Sequence, residues 1–508
     1  MFKRALVSTS DKRGLVEFLK PLADSGCEIV STGGTSKFLR DNGIKVKEVA
    51  EATGFPEMMD GRIRTLHPKI HMGLLARSFV PEDFEILKEH GVTPFDLVVV
   101  NLYPFAEAYN KGLRGQELIE QIDIGGPSLL RAAAKSHERL TVVCDPADYS
   151  EVASQKLDEK GRRRLASKVF SHCAYYDSLV AQALGDENDF SESTTFTIGL
   201  KKKTVLRYGE NPHQKAVWYE TPVPHDLGLA GSEQLQGKEL SYNNILDLEA
   251  AVSVVSDFEM TAAAIIKHLN PCGVACGENI FQAYTRAFEA DSISAFGGIV
   301  ALNENITGEL AQSLVGPFLE CVIAPDITAE ARDIFSKKKN LRILKLPALG
   351  NKKILASKDL EFKSLRGGAL VQTVDGPAVW NSHWKVLGQE PTENVKKDLV
   401  FAQRVVRHVK SNAIVISKNL QTLGICGGQT NRIDSAKMAL ERSNGRGKDL
   451  ILASDAFFPF RDSIDLASKH NIKWIIQPGG SLRDSEVEAA AKEHNINMVI
   501  TGTRHFKH

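Results

Sequence analysis

No charge of one sign dominates this 508-residue chain, in which 63 Lys and Arg stand against 63 Asp and Glu. That balance excludes a global field for nucleic acid or an acidic membrane surface, so anionic ligands need local sites. Long apolar runs are also missing. The start, Met1-Phe2-Lys3-Arg4-Ala5, leads into a short strand pattern instead of a signal-peptide stretch, and no later run nears membrane-spanning length. A cytoplasmic location is the expectation. Cysteine is scarce: seven residues, at 27, 144, 173, 272, 276, 321 and 426, lie scattered through apolar segments, which fits reduced core thiols. Cys272 and Cys276 are close neighbours, but no second Cys or His pair at zinc spacing accompanies them, and no metal is expected.

What is present is ordinary for a soluble globular protein, 43% hydrophobic and 25% charged. The length exceeds what one hydrophobic core fills, so at least two domains are expected. The first part alternates short β-branched runs (Ala5–Ser8, Glu28–Ser31, Asp96–Val100, Leu140–Val143) with helical patterns, from about Lys12, over Ser128–Ser136 and over Arg162–Leu184. Such alternation predicts a parallel sheet covered by helices, an α/β fold. Residues 185–195 are acidic, rich in Ser and Thr and nearly free of apolar side chains, the composition of a solvated connector. The reading is a first domain over 1–185, a linker over 186–199 and a second region over 200–508 with an internal boundary near 365–385. Strands are expected at Ala263–Ile266, Ala413–Ile416, Leu450–Ala453 and Trp474–Ile476. Within this region Lys267-His268, followed by Ser294-Ala295-Phe296-Gly297, is echoed around Asn412, followed by Asp455-Ala456-Phe457-Phe458. Two related subdomains and chance similarity both remain open.

Several strings carry chemistry. Ser31-Thr32-Gly33-Gly34-Thr35 follows a strand and opens a helix, where backbone N–H groups meet a phosphate; the plain alternative is a tight turn capped by Thr35. Ser10 and Lys12 lie at the same sheet edge, where ligands of open parallel sheets gather, though Asp11 there also reads as a helix cap. Arg62-Ile63-Arg64-Thr65 sets two guanidinium groups on one side of an extended segment fixed by Gly61 and Pro68, suited to phosphate or carboxamide oxygens. Gln121-Ile122-Asp123-Ile124-Gly125-Gly126 precedes a helix bearing Arg131 and Lys135 four apart, and a buried Asp–Lys pair reads as either structural or acid/base.

In the second region Lys267-His268-Leu269-Asn270-Pro271 ends an apolar strand. Alternation sends the Lys and His side chains to opposite faces unless the backbone kinks near Pro271. Arg207-Tyr208-Gly209-Glu210-Asn211-Pro212-His213-Gln214 reads as an ordered binding loop. Gly424-Ile425-Cys426-Gly427-Gly428-Gln429, with Arg432 after it, reads as a glycine turn where backbone approaches a ligand. Asp455-Ala456-Phe457-Phe458-Pro459-Phe460-Arg461-Asp462 sets aromatic faces beside carboxylates and a guanidinium, a pocket wall for a flat heterocycle.

Together these strings, with N-L-Y-P-F, L-L-R-A-A-A-K, K-S-N-A and the terminal R-H-F-K-H, closely resemble the bifunctional purine biosynthesis family that joins 5-aminoimidazole-4-carboxamide ribotide (AICAR) transformylase to inosine monophosphate (IMP) cyclohydrolase. The likeness runs from Ser8 to His508. It implies a methylglyoxal-synthase-like first domain that closes formylated AICAR (FAICAR) to IMP with loss of water. There Ser10, Lys12, Ser31, Thr32, Gly33, Gly34 and Thr35 would hold the phosphate. Arg62, Arg64, Thr65 and Gly125 would contact the ribotide, and Asn101, Tyr103, Asp123 and Lys135 the carboxamide and its proton transfers. The resemblance further implies two cytidine-deaminase-like subdomains moving a formyl group from 10-formyltetrahydrofolate to AICAR. In that scheme His268 takes the amine proton, Lys267 stabilises the transition state and Asn412 holds the formyl oxygen. Arg207, Tyr208, Asn244, Phe296, Gly297, Glu320, Arg504 and His508 would bind the ribotide, and Arg432, Ile433, Phe457, Asp462, Ser481 and Leu482 the folate. A homodimer with shared transformylase sites is also implied.

Two departures stand out. Arg64 replaces a frequent Lys and, always charged, binds but cannot shuttle a proton. Cys426 stands where Gly is more usual. The rival readings are a zinc nucleobase deaminase, against which the H-x-E signature is absent and the Cys272/Cys276 spacing is one residue too long, and a catalytically silent nucleotide sensor, against which Lys135, Lys267 and His268 are all present.

Overall fold

Five short runs near the start pair into one parallel sheet: β1 (Arg4–Ser8), β2 (Glu28–Ser31), β3 (Val46–Glu48), β4 (Leu97–Val100) and β5 (Thr141–Val143), in the order β3-β2-β1-β4-β5. This is a computed structural model describing residues 2–154, 157–185, 190–223, 225–352 and 359–508, so 186–189 of the expected linker lie outside the described residues. Alternate residues of each strand serve opposite cores. Leu6, Val30, Val98 and Val142 pack with the helices Gly125–Lys135 and Glu159–Leu184, while Ala5, Val7, Ile29, Val99 and Val143 pack beneath Leu15–Asp24. β3, three half-buried residues, is too short to show a period. Because all five strands run one way, the residues following β1, β2 and β4 converge on one edge, and the connections reverse direction between β1 and β4, where an open sheet forms its crevice.

The chain divides into two compact units, Met1–Lys203 with Tyr219–Pro224, and Thr204–Trp218 with His225–His508. The second unit is built on a twelve-stranded mixed sheet. Its middle is two hairpins side by side, Ala262–Lys267 with Asn270–Cys276 and Ile414–Lys418 with Gln421–Cys426. Outward from each hairpin lie an antiparallel strand, two parallel strands and an antiparallel edge strand: Gly298–Leu302, Leu319–Ala324, Arg342–Lys345 and Glu233–Gln236 on one side, Leu450–Ser454, Ile472–Gln477, Asn497–Ile500 and Lys385–Leu387 on the other. The helices Tyr242–Val255 and Glu393–Val406 precede the two hairpins equivalently and bury their apolar faces in one shared core.

The two halves are therefore a duplicated element, but in a register other than the echo suggested. Lys418-Asn419-Leu420 stands 151 positions after Lys267-His268-Leu269 and makes the same turn, whereas Asn412 corresponds to Thr261 at the opposite end of the hairpin. Short motif likeness misled because hairpin register is set by pairing, not by polar residues in the loops.

Candidate active sites

In the first unit the Ser31 and Thr35 hydroxyls at the turn after β2 are engaged by backbone. The Ser31 hydroxyl is buried and donates to the Val7 carbonyl at 2.7 Å, and Thr35 ties the end of β1 by accepting from the Thr9 N–H at 3.0 Å and donating to the Thr9 carbonyl at 2.9 Å. The Ser10 hydroxyl donates to the Leu102 carbonyl at 2.6 Å. What the turn presents at the sheet edge is the start of helix Gly33–Asp41, whose first N–H groups have no partner within the helix, with Thr32 at the cap position and Lys12 nearby over the Phe38 ring.

Arg62 and Arg64 do not share one extended face. A 3₁₀ turn at Met59–Gly61 and the tight turns after it send Arg62 to Glu120 and Arg64 to Glu57. The Arg64 guanidinium lies against Gly33 and Gly61, both at positive φ (45° and 83°), where any Cβ would meet it. This sets a permanent cation beside the Gly33-Gly34 turn. Next to it the Thr65 hydroxyl lies 2.8 Å from where a Gly125 side chain would start.

Asp123 closes this edge. Its carboxylate accepts from the Gly126 N–H at 2.7 Å and the Tyr103 N–H at 3.4 Å, and burial pushes its pKa up. Asn101 clamps the loop after β1, accepting from the Ser10 and Asp11 N–H groups at 2.7 and 3.0 Å. Lys135 is not part of this cluster. It is the last residue of helix Gly125–Lys135, ten residues and about 15 Å along the axis from Gly125. The buried Asp123–Lys135 pair of the sequence reading is thereby corrected: Lys135 is exposed and lies with Arg131, His137, Arg163 and Phe170 along a separate groove. Arg131 and Lys135 do share a face, as their spacing required.

In the second unit a cavity of about 1430 Å³ is lined by Arg207, Tyr208, Asn244, Phe296, Gly297, Glu320 and His268. Residues 207 to 214 do form a loop at its wall. The Arg207 guanidinium stacks on the Tyr208 ring at 4.7 Å, Glu320 is held by Arg342 at 2.8 Å, and Asn244 accepts from the Ser241 N–H in a capping box. His268 also lines an adjoining cavity of about 620 Å³, together with Lys267, whose Nζ donates to the Phe296 carbonyl at 2.7 Å. The strand does shift register between Pro271 and Gly273, as expected, but what frees the His side chain from strand alternation is the two-residue turn before it, where His268 and Leu269 both take positive φ (52° and 64°).

Asn412 enters the strand Ile414–Lys418 at the same sheet edge as His268, as shown by the Lys410 N–H reaching Asn270 at 3.5 Å. Two strand spacings, about 10 Å, separate the strand leaving His268 from the strand entering at Asn412. The buried Arg432 donates to the Asn412 amide oxygen and to Ser454, both at 2.8 Å, and pairs with Asp455.

A match over residues 133–442 to the family described as AICARFT/IMPCHase bienzyme, and over 14–128 to the MGS-like domain, decides the family. The chain belongs to the AICARFT/IMPCHase bienzyme family. It is 49% identical over 521 residues to the Bifunctional purine biosynthesis protein PurH of Persephonella marina, with all of both chains covered. Identity is 48% to the proteins of that name from Bacillus subtilis, over all of this chain and 99% of that one, and Aquifex aeolicus, over 99% of this chain and all of that one. The first unit carries the MGS-like sheet, as expected, and the second a mixed α/β sheet.

Other residues that the bienzyme resemblance singles out lie away from the large cavity's lining in a single chain. Arg504 stacks on Phe506 at 4.4 Å and His508 packs on the same ring. Leu482 is wholly exposed, Ile433 half-buried, and the Ser481 N–H is turned to Asp484. The aromatic wall is split: Phe458 is core, Phe457 is half-buried and Phe460 is exposed under Arg483, while Asp462 accepts from the Ser463 N–H at 2.6 Å. Gly424 is no turn residue. It sits within a strand, where a Cβ would strike the Ala439 carbonyl, and Cys426 ends that strand buried, with its Sγ 3.7 Å from Met438 Sδ. Sequence reasoning missed Glu57, Glu120, Asp247 and Arg342, whose acceptor or donor roles arise from contacts distant in sequence.

Proposed function

We infer that this chain carries out the last two steps of IMP synthesis, and that the two chemistries are divided between its two units. The first is formyl transfer from 10-formyltetrahydrofolate to AICAR, giving FAICAR and tetrahydrofolate; the second is dehydrative cyclisation of FAICAR to IMP. Family membership at 48–49% identity over the whole chain supports both activities. The observation that carries the formyl-transfer reading is the left-handed turn at His268, which brings an imidazole to the wall of two adjoining cavities with an ammonium beside it.

In formyl transfer the aromatic amine of AICAR attacks the formyl carbon, and the bond from that carbon to the folate nitrogen breaks. His268 takes the amine proton, and the departing nitrogen regains one. Lys267 and the amide of Asn412 stabilise charge developing on the formyl oxygen. Arg207, Tyr208, Asn244, Phe296, Gly297 and Glu320 hold the ribotide. Arg432 orients Asn412 from the buried side, and Arg504, His508, Ile433, Phe457, Asp462, Ser481 and Leu482 serve a site completed by a second copy in a homodimer. In ring closure the carboxamide nitrogen attacks the formyl carbon and the oxygen leaves as water. Asp123, raised by burial, moves the proton, with Tyr103 and Asn101 beside it, Arg62, Arg64, Thr65 and Gly125 along the ribotide, and the Thr32-Gly33-Gly34 backbone with Lys12 on the phosphate. Lys135, on its separate groove, is proposed to contribute to this chemistry from a neighbouring copy.

Catalysis without a metal is part of the proposal. Cys272 and Cys276 are four residues apart in one strand, about 13 Å, and belong to clusters on opposite faces of the sheet, whereas zinc ligands must converge at about 2.3 Å. The protein is proposed to act in the cytoplasm; among the described residues no helix is long and apolar enough to cross a membrane. The test incubates the full chain with AICAR and 10-formyltetrahydrofolate and follows tetrahydrofolate and IMP separately. His268→Ala is expected to abolish tetrahydrofolate release and leave cyclisation of supplied FAICAR intact, and joint loss in a folded variant counts against two independent sites. A chelator is expected to leave both rates unchanged.

A further inference from the structure

We propose that Asp247 is a positioning residue for formyl transfer: it holds the His268-Leu269 turn in the left-handed geometry that carries the imidazole to the cavity wall. The inference rests on the reading of His268 given above. Two-residue hairpins with both residues at positive φ ordinarily contain Asn-Gly, because a Cβ in that conformation costs about 1 kcal/mol or more per residue. Here the pair is His268 and Leu269, with no Gly or Asn, and Leu269 is ill-suited to it.

The compensation comes from the neighbouring helix. The Asp247 carboxylate accepts from the Leu269 N–H at 2.6 Å and the His268 N–H at 3.3 Å, so both turn donors end on one anion, and Asp247 itself lines the large cavity. The second half of the unit repeats the device independently. Asp398, 151 positions later, accepts from the Asn419 and Leu420 N–H groups at 2.8 and 2.6 Å, with those residues at φ 49° and 59°. There the turn carries Asn419, which tolerates the left-handed region by itself. The carboxylate clamp is thus architecture common to both copies, and the first copy alone uses it to aim an imidazole. Without Asp247 the turn loses two charge-assisted bonds and relaxes, taking the imidazole out of register with the amine.

The experiment measures both activities of the full chain in Asp247→Ala, Asp247→Ala with Leu269→Gly, Asp398→Ala and His268→Ala. Asp247→Ala is expected to lower kcat for tetrahydrofolate release about 100-fold, the cost of a misplacement near 1 Å, while KM for AICAR stays within about threefold. Adding Leu269→Gly, which removes the Cβ penalty, is expected to restore about tenfold of the loss. Asp398→Ala deletes the same two bonds in the other copy and is expected to retain formyl transfer, and FAICAR cyclisation holds steady throughout. Unchanged kcat in Asp247→Ala, no recovery on adding Leu269→Gly, or an equal loss in Asp398→Ala each overturns the inference. If Asp247→Ala does not fold, Asp247→Asn, with one neutral acceptor, takes its place with a smaller loss of the same kind. Full tetrahydrofolate release by His268→Ala would sink the underlying reading of His268 instead.

Discussion

Single side chains decide both chemistry and pH tolerance in this protein. Asp123 is a carboxyl group whose burial favours the protonated form, so it remains available as an acid nearer neutrality than an exposed aspartate. Asp123→Asn is expected to lower FAICAR cyclisation at least about 100-fold and leave formyl transfer untouched, as read from the two product assays. At Gly61 the backbone is left-handed and the Arg64 guanidinium fills the place of a side chain. Gly61→Ala therefore adds strain of about 1 kcal/mol and pushes Arg64 off the phosphate loop. Ring closure should fall roughly tenfold, mostly through KM for FAICAR, and a variant with unchanged KM would contradict the assignment of Arg64 to the ribotide. His408 shows the opposite sign of burial. Burial pushes it down to about 4 from its ordinary 6.5, with the Arg407 guanidinium adding to the shift and the Asp257 carboxylate at 2.7 Å opposing it. The unfolded chain then takes up a proton that the folded chain refuses, so stability is full above pH 6.5 and declines as pH falls toward 4. Between pH 7 and pH 5 the loss is on the order of 2 kcal/mol. Denaturant titrations at the two pH values should show it in the native chain and show less in His408→Asn.

At the level of elements, helix ends and turns do the positioning. The helix Tyr242–Val255 begins with a capping box in which Ser241 and Asn244 exchange bonds at 3.1 Å, and Asn244 is also a wall of the large cavity. Ser241→Ala removes the acceptor of the Asn244 backbone N–H and should cost about 1 kcal/mol of stability and, by loosening the helix start that carries Asn244, raise KM for AICAR severalfold with little change in kcat; thermal unfolding and substrate titration check the two parts separately. The strand–helix alternation of the first unit was legible where its strands are fully buried β-branched runs bounded by turn residues, as at β4 and β5, whereas β3, half-buried and three residues long, carries no such signal. Glycines at Gly33-Gly34 announced the strand-to-helix turn for a similar local reason. The hairpin turn at His268-Leu269 was not legible: neither residue signals positive φ, and the group that makes it tolerable, Asp247, lies 21 positions earlier. Lys135 lies apart from Asp123 within one chain because motif order says nothing of how far a helix carries a residue from its start.

Across the whole molecule, two compact units with separate cores imply separable failure. Phe95 is fully buried in the first unit, and Phe95→Ala should cost about 3–5 kcal/mol there. Heating that variant is expected to eliminate cyclisation at a lower temperature than formyl transfer, and coincident loss of the two would show the units to unfold as one. The sequence by itself determined the first unit's parallel sheet, the sets of residues that follow its strands, and the polar strings from which the second unit's sites are made, since these depend on local periodicity and turn chemistry. Tertiary structure alone decided which of those residues meet. The pairing of two hairpins into one continuous sheet brings His268 and Asn412 to a common edge, and contacts distant in sequence bury Asp123 and bring Gly33 against the Arg64 guanidinium. Such contacts are selected by the free energy of a whole packed arrangement, which no window of neighbouring residues contains.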